Sequence, residues 1–159
     1  MGQPRSDSEF EIHELEPSWA AALGELFTDL RDHGDERFFH PFDLDAASAT
    51  RLAGLRGRDR YLIAVRAGQI LAFGMLRGWD AGFDVPSLGI AVHPSARGSG
   101  LGRTMMQVMH DVARDAGATR VRLTVDRANR RAIEFYRHLG YSFHDADGAR
   151  LVGILDVGG

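Results

Sequence analysis

Ser87-Leu88-Gly89-Ile90-Ala91-Val92 runs into His93-Pro94 and then into Arg97-Gly98-Ser99-Gly100-Leu101-Gly102-Arg103, and the reading of this stretch decides the fold. The first six residues are too short and too uniformly apolar for a surface helix, and they predict a buried strand. Pro94 ends it, because proline donates no hydrogen bond and holds the preceding residue out of the α region. From Leu101 the apolar residues Leu101, Met105, Val108, Met109, Val112, Ala113 and Ala116 recur on one face of a 3.6-residue period. Gly117 stands where a helix C-cap belongs. The stretch therefore reads as strand, glycine-bearing turn and long amphipathic helix.

In the turn, Gly98, Gly100 and Gly102 alternate, so the backbone can aim several N–H groups around one point. The first turn of a helix has unsatisfied N–H donors and a partial positive charge, and acidic side chains are expected beside it. Here the nearest charges are Arg97 and Arg103, and no acid follows until Asp111. An anion from elsewhere would complete such a site, and phosphate on a helix N-terminus does so. A phosphate or pyrophosphate is the ligand expected. Two common phosphate loops do not match: Arg103 replaces the lysine of a P-loop and Arg97 stands at its first glycine, while Arg103 also occupies the last glycine position of a dinucleotide fingerprint.

The bulk properties narrow the class. At 159 residues the chain reads as one domain, 1–159, with an ordered core over residues 10–157 and loose ends at the first few residues and at Gly158-Gly159. A formal charge of −3 argues against a general nucleic-acid binder, which needs a basic excess over its phosphate contacts. There are no cysteines, so disulfides, thiolate metal sites and cysteine nucleophiles are excluded. The seven histidines show no metal-ligand spacing, and no metal is expected. Residues 1–10 lack an apolar signal core and no run approaches a membrane span, so a cytoplasmic protein with no membrane partner is expected. All 19 basic residues are arginine. Arginine-rich base composition explains this as well as any advantage of having no ε-amine near activated acyl groups.

The rest of the chain supplies alternating strands and helices. Phe10 to Leu15 alternates apolar and polar as a half-buried strand does. Pro17 opens a helix whose stripe Trp19, Leu23, Leu26, Phe27 and Leu30 ends at Gly34. Residues 33–43 form a loop in which Phe38, Phe39 and Phe42 either anchor the core or, with His40, wall a small-molecule pocket. Asp45 caps a short helix through about Leu55. Tyr61 to Arg66 and Gln69 to Arg77 are strands joined at Ala67-Gly68, with Gly68 supplying a positive φ. Val121 to Val125 is a further strand, Asn129 starts a helix ending at Gly140, and Tyr141 to His144 and Leu151 to Val157 are strands joined at Asp147-Gly148. Seven strands and four helices make a mixed α/β domain.

Two motifs in this frame carry a resemblance. Arg97, Gly100 and Gly102 form R-x-x-G-x-G directly after a strand, which resembles the pyrophosphate loop of the GNAT family of N-acetyltransferases. Asn129-x-x-Ala132-x-x-x-Tyr136-x-x-x-Gly140-Tyr141 is similar to that family's second signature and follows at the expected interval. The resemblance extends over Phe10 to Val157 and implies a mixed, mostly antiparallel central sheet of about seven strands flanked by about four helices. It also implies acetyl-CoA as co-substrate. Ile90, Ala91 and Val92 would lie against its pantetheine arm and acetyl group, with Val92 N–H polarising the thioester carbonyl. Arg97, Gly98, Ser99, Gly100, Leu101, Gly102 and Arg103 would hold the pyrophosphate mainly through backbone N–H groups, with Asn129 on the cofactor's other side. Tyr136 would be the general acid that protonates the leaving thiolate after an amine attacks directly.

The chain departs from the family pattern at the general base. Many relatives place a glutamate early in the central strand, where this chain has Ser87. Asp84 is the nearest carboxylate in sequence, His93 and His40 are the other candidates, and a water path could serve instead. The reaction expected is acetyl transfer from acetyl-CoA to a primary amine of a small-molecule acceptor, with Phe39 and His40 as acceptor-site candidates. The alternatives are a non-catalytic acyl-CoA-binding or sensor module and an acetyltransferase acting on a protein amine. Asp35, Glu36, Asp43, Asp80 and Asp84 would suit a cationic amine, and equally a solvated loop surface. Homodimers are frequent among similar proteins.

Overall fold

Periodicity and capping place the elements close to where the chain forms them. In the computed structural model, which describes residues 10–158, the order is β1 (Glu11–Glu14), α1 (Ala20–Asp32), α2 (Ala46–Ala53), β2 (Arg60–Arg66), β3 (Gln69–Arg77), β4 (Ser87–Val92), α3 (Leu101–Asp115), β5 (Arg120–Asp126), α4 (Arg130–His138), β6 (Ser142–Asp145) and β7 (Arg150–Asp156). The N-terminal loose end and Gly159 lie outside the described residues. Among those described, seven strands form one sheet in the order β1-β2-β3-β4-β5-β7-β6. The pairs β1/β2, β5/β7 and β6/β7 are antiparallel and β4/β5 is parallel, registered at Ser87 opposite Arg122. No helix among the described residues is long and apolar enough to cross a membrane.

The chain divides into two compact units, one of residues 10–56, 61–74 and 90–105 and the other of 57–60, 75–89 and 106–158. In the first, α1 packs on α2 and buries Leu23, Leu26, Phe27 and Leu30, with Ala49, Leu52 and Ala53 buried on α2. The Phe27 ring meets Phe73 edge-on at 5.6 Å and Phe42 at 5.5 Å. Phe42 is thereby tied to the core, while Phe38 is exposed with Arg37 over its ring. Asp45 caps α2 as expected, accepting from Ser48 N–H at 2.8 Å. Those bonds hold its carboxyl below the usual range.

In the second unit β7 lies between β5 and β6, and Val121, Leu123, Val125, Tyr141 and Val152 are buried. The turn before β4 is set by two carboxylates. Asp80 accepts from the N–H groups of Arg58 and Asp59, and Asp59 Oδ1 accepts from those of Gly78 and Asp80. Asp80, read from sequence as a possible acceptor-site acid, is used up in holding this turn.

Two expectations are corrected. β4 is not a buried strand: only Leu88 and Ala91 are buried, and Gly89, Ile90 and Val92 are half open. On α3 the buried residues are Leu101, Met105, Met106, Met109 and Ala113, while Val108 and Val112 are half-buried and Ala116, in the last turn's wake, is exposed.

The β2/β3 turn holds Ala67 at φ 52° as well as Gly68 at φ 77°. Two positive φ values are what a type I′ hairpin demands, and alanine is a poor first residue for it. Ala67→Asn is expected to stabilise the protein by about 0.5–1 kcal/mol, raising Tm by about 1–4 °C. A thermal melt in which Tm is unchanged or falls would show that this turn carries no such strain.

Candidate active site and cofactor loop

Beyond β4 the chain makes one helical turn at Pro94–Ala96 and then the glycine loop. Gly98 and Gly100 take φ +79° and +87°, a conformation that other L-residues rarely adopt, and this exposes the loop's amides. The N–H groups of Gly98, Ser99, Gly100, Gly102 and Arg103 meet no acceptor among the described residues. Ser99 Oγ is spent on the loop itself, donating to Ala96 O and accepting from Leu101 N–H at 3.4 Å. Leu101 is 2 % exposed, so its side chain pins the start of α3 while its backbone faces the loop. The first turn of α3 contains no acid, and Arg103 is exposed with no ion pair among the described residues. Free amides, a helix start and an unpaired arginine fit a pyrophosphate group.

Arg97 behaves differently from the expectation that both flanking arginines await an outside anion. Its guanidinium turns back over the strand end, donating from Nε to Val92 O at 3.2 Å and pairing with Asp35 Oδ1 at 2.8 Å. The acid that the local sequence lacks comes from the loop after α1. His93 is also committed. Its Nδ1 accepts from Ser95 N–H at 3.0 Å, which puts the proton on Nε2, and Nε2 donates to Asp29 Oδ2 at 2.9 Å. The lone pair of His93 is occupied, which removes it from the candidate bases. Asp84 is exposed and forms no ion pair among the described residues.

In the same unit as the loop, a cavity of about 510 Å³ is lined by Arg31, Glu36, His40, Phe42, Asp43, Leu44 and Asp45. That volume is within the range of small-molecule sites, about 300–1,000 Å³. Of the two acceptor-site candidates, His40 lines the cavity. Phe39 does not, and meets Phe42 edge-on at 6.5 Å instead. Arg31 donates to Leu44 O and Asp45 accepts from Ser48 N–H as the cap of α2, so Glu36 and Asp43 are the lining acids without such a structural task.

In the other unit the second signature forms around the C-terminus of α4. Asn129 caps the helix, its Oδ1 accepting from Ala132 N–H at 3.3 Å and its NH₂ left over for other work. Gly140, at φ +103°, donates to Arg137 O, and Tyr141 N–H reaches Tyr136 O at 3.1 Å. This is a Schellman closure, which brings the residue after the glycine onto the last turn of the helix. It sets the Tyr141 ring 5.7 Å from that of Tyr136. Tyr136 is half-buried, its hydroxyl has no hydrogen bond among the described residues, and burial pushes its pKa up to about 12. Burial also raises Tyr141 and lowers His110, so both stay neutral, and the Tyr141 hydroxyl and His110 Nε2 share a hydrogen bond of 2.7 Å. His110 drew no attention in sequence. Its partner is 31 residues away and lies on a different element.

Residues 19–141 match the model of a family described as acetyltransferase (GNAT) family. A streptothricin acetyltransferase from Streptomyces lavendulae is 32% identical over 111 residues, 66% of this chain and 58% of that protein. A mycothiol acetyltransferase from Thermomonospora curvata is 30% identical over 142 residues, 87% of this chain and 44% of that protein. The chain thus spans about half the length of the curated relatives it matches. Among solved structures, the GNAT domain of S. lividans PAT superposes with a TM-score of 0.80 at 20% identity, covering 92% of this chain and 90% of that one.

A Tyr136 pKa of about 12 in the fold, against 10.0 for an ordinary phenol, means that the neutral group is favoured. Its contribution to stability is complete below pH 10 and is lost as pH rises through about 12. A phenolate absorbance titration is expected to contain a component near pH 12 that disappears in Tyr136→Phe. If the substitution instead removes a component at the ordinary value, the phenol is open to water.

Proposed function

The chain belongs to the acetyltransferase (GNAT) family, and on that premise we propose that it moves an acetyl group from acetyl-CoA to a primary amine of a small-molecule acceptor by direct attack. The observation that carries this is the Gly98–Arg103 loop, whose amides at the start of α3 are without acceptors among the described residues. The co-substrate supplies an activated acyl thioester. The loop holds its pyrophosphate through the N–H groups of Gly98, Ser99, Gly100, Gly102 and Arg103, with Arg103 supplying charge. Ile90, Ala91 and Val92 receive the pantetheine arm on apolar surface that β4 leaves half open, and Val92 N–H polarises the thioester carbonyl.

Asn129, through the amide NH₂ that its capping bond leaves free, is a further cofactor contact. As the amine nitrogen bonds to the carbonyl carbon and the C–S bond breaks, Tyr136 gives its proton to the departing sulfur. A phenol held at about 12 keeps that proton at neutral pH. The proton lost by the amine goes to water or to Asp84. A small acceptor is supported by the relatives named for streptothricin and mycothiol and by the cavity beside His40.

A non-catalytic acyl-CoA-binding module is the second reading, favoured by Ser87 standing where many relatives carry a glutamate. Calorimetric titration with acetyl-CoA, beside ADP and NAD, tests the loop, and acetyl-CoA alone is expected to bind tightly. Tyr136→Phe is expected to slow thiol release in an amine screen by about 10²–10⁴-fold while leaving acetyl-CoA affinity nearly unchanged. Acetyl-CoA binding with no turnover on any amine would favour the binding module. No binding by folded protein would remove the enzyme reading.

Asp84→Asn separates the two routes for the amine's proton. If Asp84 is the base, the substitution is expected to lower kcat/KM by about 10²-fold or more and to flatten the acid limb of the pH profile. An unchanged profile assigns the proton to water.

A further inference from the structure

We infer that Arg97 serves the acceptor side of the site rather than the cofactor's phosphates: with Asp35 it forms a strap that seats the cavity-lining segment on the end of β4. This rests on the reading of β4 and the glycine loop given above, and it goes beyond that reading by moving one arginine out of the anion site.

Three observations converge. The Arg97 guanidinium is held by partners within the chain, with Nε on Val92 O at 3.2 Å and the terminal nitrogen on Asp35 at 2.8 Å. Asp35 is well covered, its side chain 19% exposed, and its second oxygen is held at 3.1 Å by His33 Nδ1. Asp35 also opens the short helical turn Asp35–Arg37, and the cavity residues Glu36, His40 and Phe42 follow directly. A second link runs the same way, from His93 Nε2 to Asp29 near the end of α1. The segment 92–97 is thus joined twice to the segment 29–35, once by an ion pair and once through a histidine whose other nitrogen is fixed by Ser95.

The chemistry of the two ends explains the arrangement. A guanidinium is a planar fork, and here one edge is taken by a backbone carbonyl and another by a carboxylate. Two of its five N–H donors are committed to these partners, which hold the fork at the strand end instead of leaving it free to follow a phosphate. Arg103, exposed and without an ion pair among the described residues, is the arginine left for that anion. Asp35 and Arg97 are therefore positioning residues, acting on the cavity wall and on the strand end whose Val92 N–H faces the thioester.

The test uses the full chain and two readouts. Asp35→Asn and Arg97→Gln are each expected to speed amide hydrogen exchange across residues 33–45 by about two- to fivefold, the range of one exposed ion pair. The double variant should exchange no faster than either single one, and the charge reversal Asp35→Arg with Arg97→Asp should restore protection. Calorimetry with coenzyme A is expected to give a Kd within about threefold of wild type for both single variants, because only long-range charge is altered. Unchanged exchange in the single variants, or no recovery in the reversal, would overturn the strap. A loss of coenzyme A affinity of about tenfold or more in Arg97→Gln would return Arg97 to the phosphate site. The exchange readout needs no ligand, so a wild-type protein that ignores coenzyme A sinks the proposed function while leaving the strap to be decided on its own.

Discussion

A helix leaves its first N–H groups without acceptors, and the glycine loop that leads from β4 into α3 does not supply them. Capping would ordinarily provide them locally, with a serine or aspartate folded over the first turn. Ser99 is in place to do so, but its hydroxyl is turned to Ala96 O and reaches only the Leu101 amide at 3.4 Å. The glycines at 98 and 100 then carry the backbone through positive φ, and the remaining amides stay open. A loop built this way gains little from its own contacts. Its stability is borrowed from the anchors on either side, Leu101 buried at the start of α3 and Arg97 tied to Val92 and Asp35. The arrangement is economical for an anion site, since donors that need no reorganisation bind charge most strongly.

This also explains what could be read from sequence. Strand, loop and helix were legible because each obeys a local rule: an apolar run stopped by proline, alternating glycines, and a 3.6-residue stripe closed by Gly117. The Asp45 cap and the Gly140 closure belong to the same class, with every group involved lying within a few residues. The anion expectation for Arg103 follows from the same local reasoning. For Arg97 the chain itself supplies an acid, Asp35, which is distant in sequence, and nothing in either stretch marks the pairing. Asp29 and His93 are 64 residues apart and were invisible for the same reason. His93 drew notice as a titratable group at a strand end. Only its two bonding partners reveal that its lone pair is already used.

β4 shows the opposite limit. Its composition predicts burial, yet Ile90 and Val92 are half open. Hydrophobicity records that a residue wants to leave water and is silent about what will cover it. In most strands the cover is the chain's own core. In a strand beside a ligand site part of the cover would arrive with the ligand, and the same six letters would serve both cases. The acids around the loop after α1 divide in a similar way once their partners are known. Asp35 and Asp45 hold arginine or backbone, and Glu36 and Asp43 are left to face the cavity.

The second signature joins a conformational requirement to a chemical one. Gly140 ends α4 in the left-handed region, and a methyl there would also lie 3.2 Å from Leu155 Cδ1. The closure it permits draws Tyr141 N–H onto Tyr136 O and brings the two rings together. Tyr141 is in turn held by His110, a neutral pair joined by a part-buried hydrogen bond of 2.7 Å. Tyr136 stands beside the Tyr141 ring, and burial holds its proton until about pH 12. A glycine that looks like a helix stop therefore decides which ring stands against the phenol.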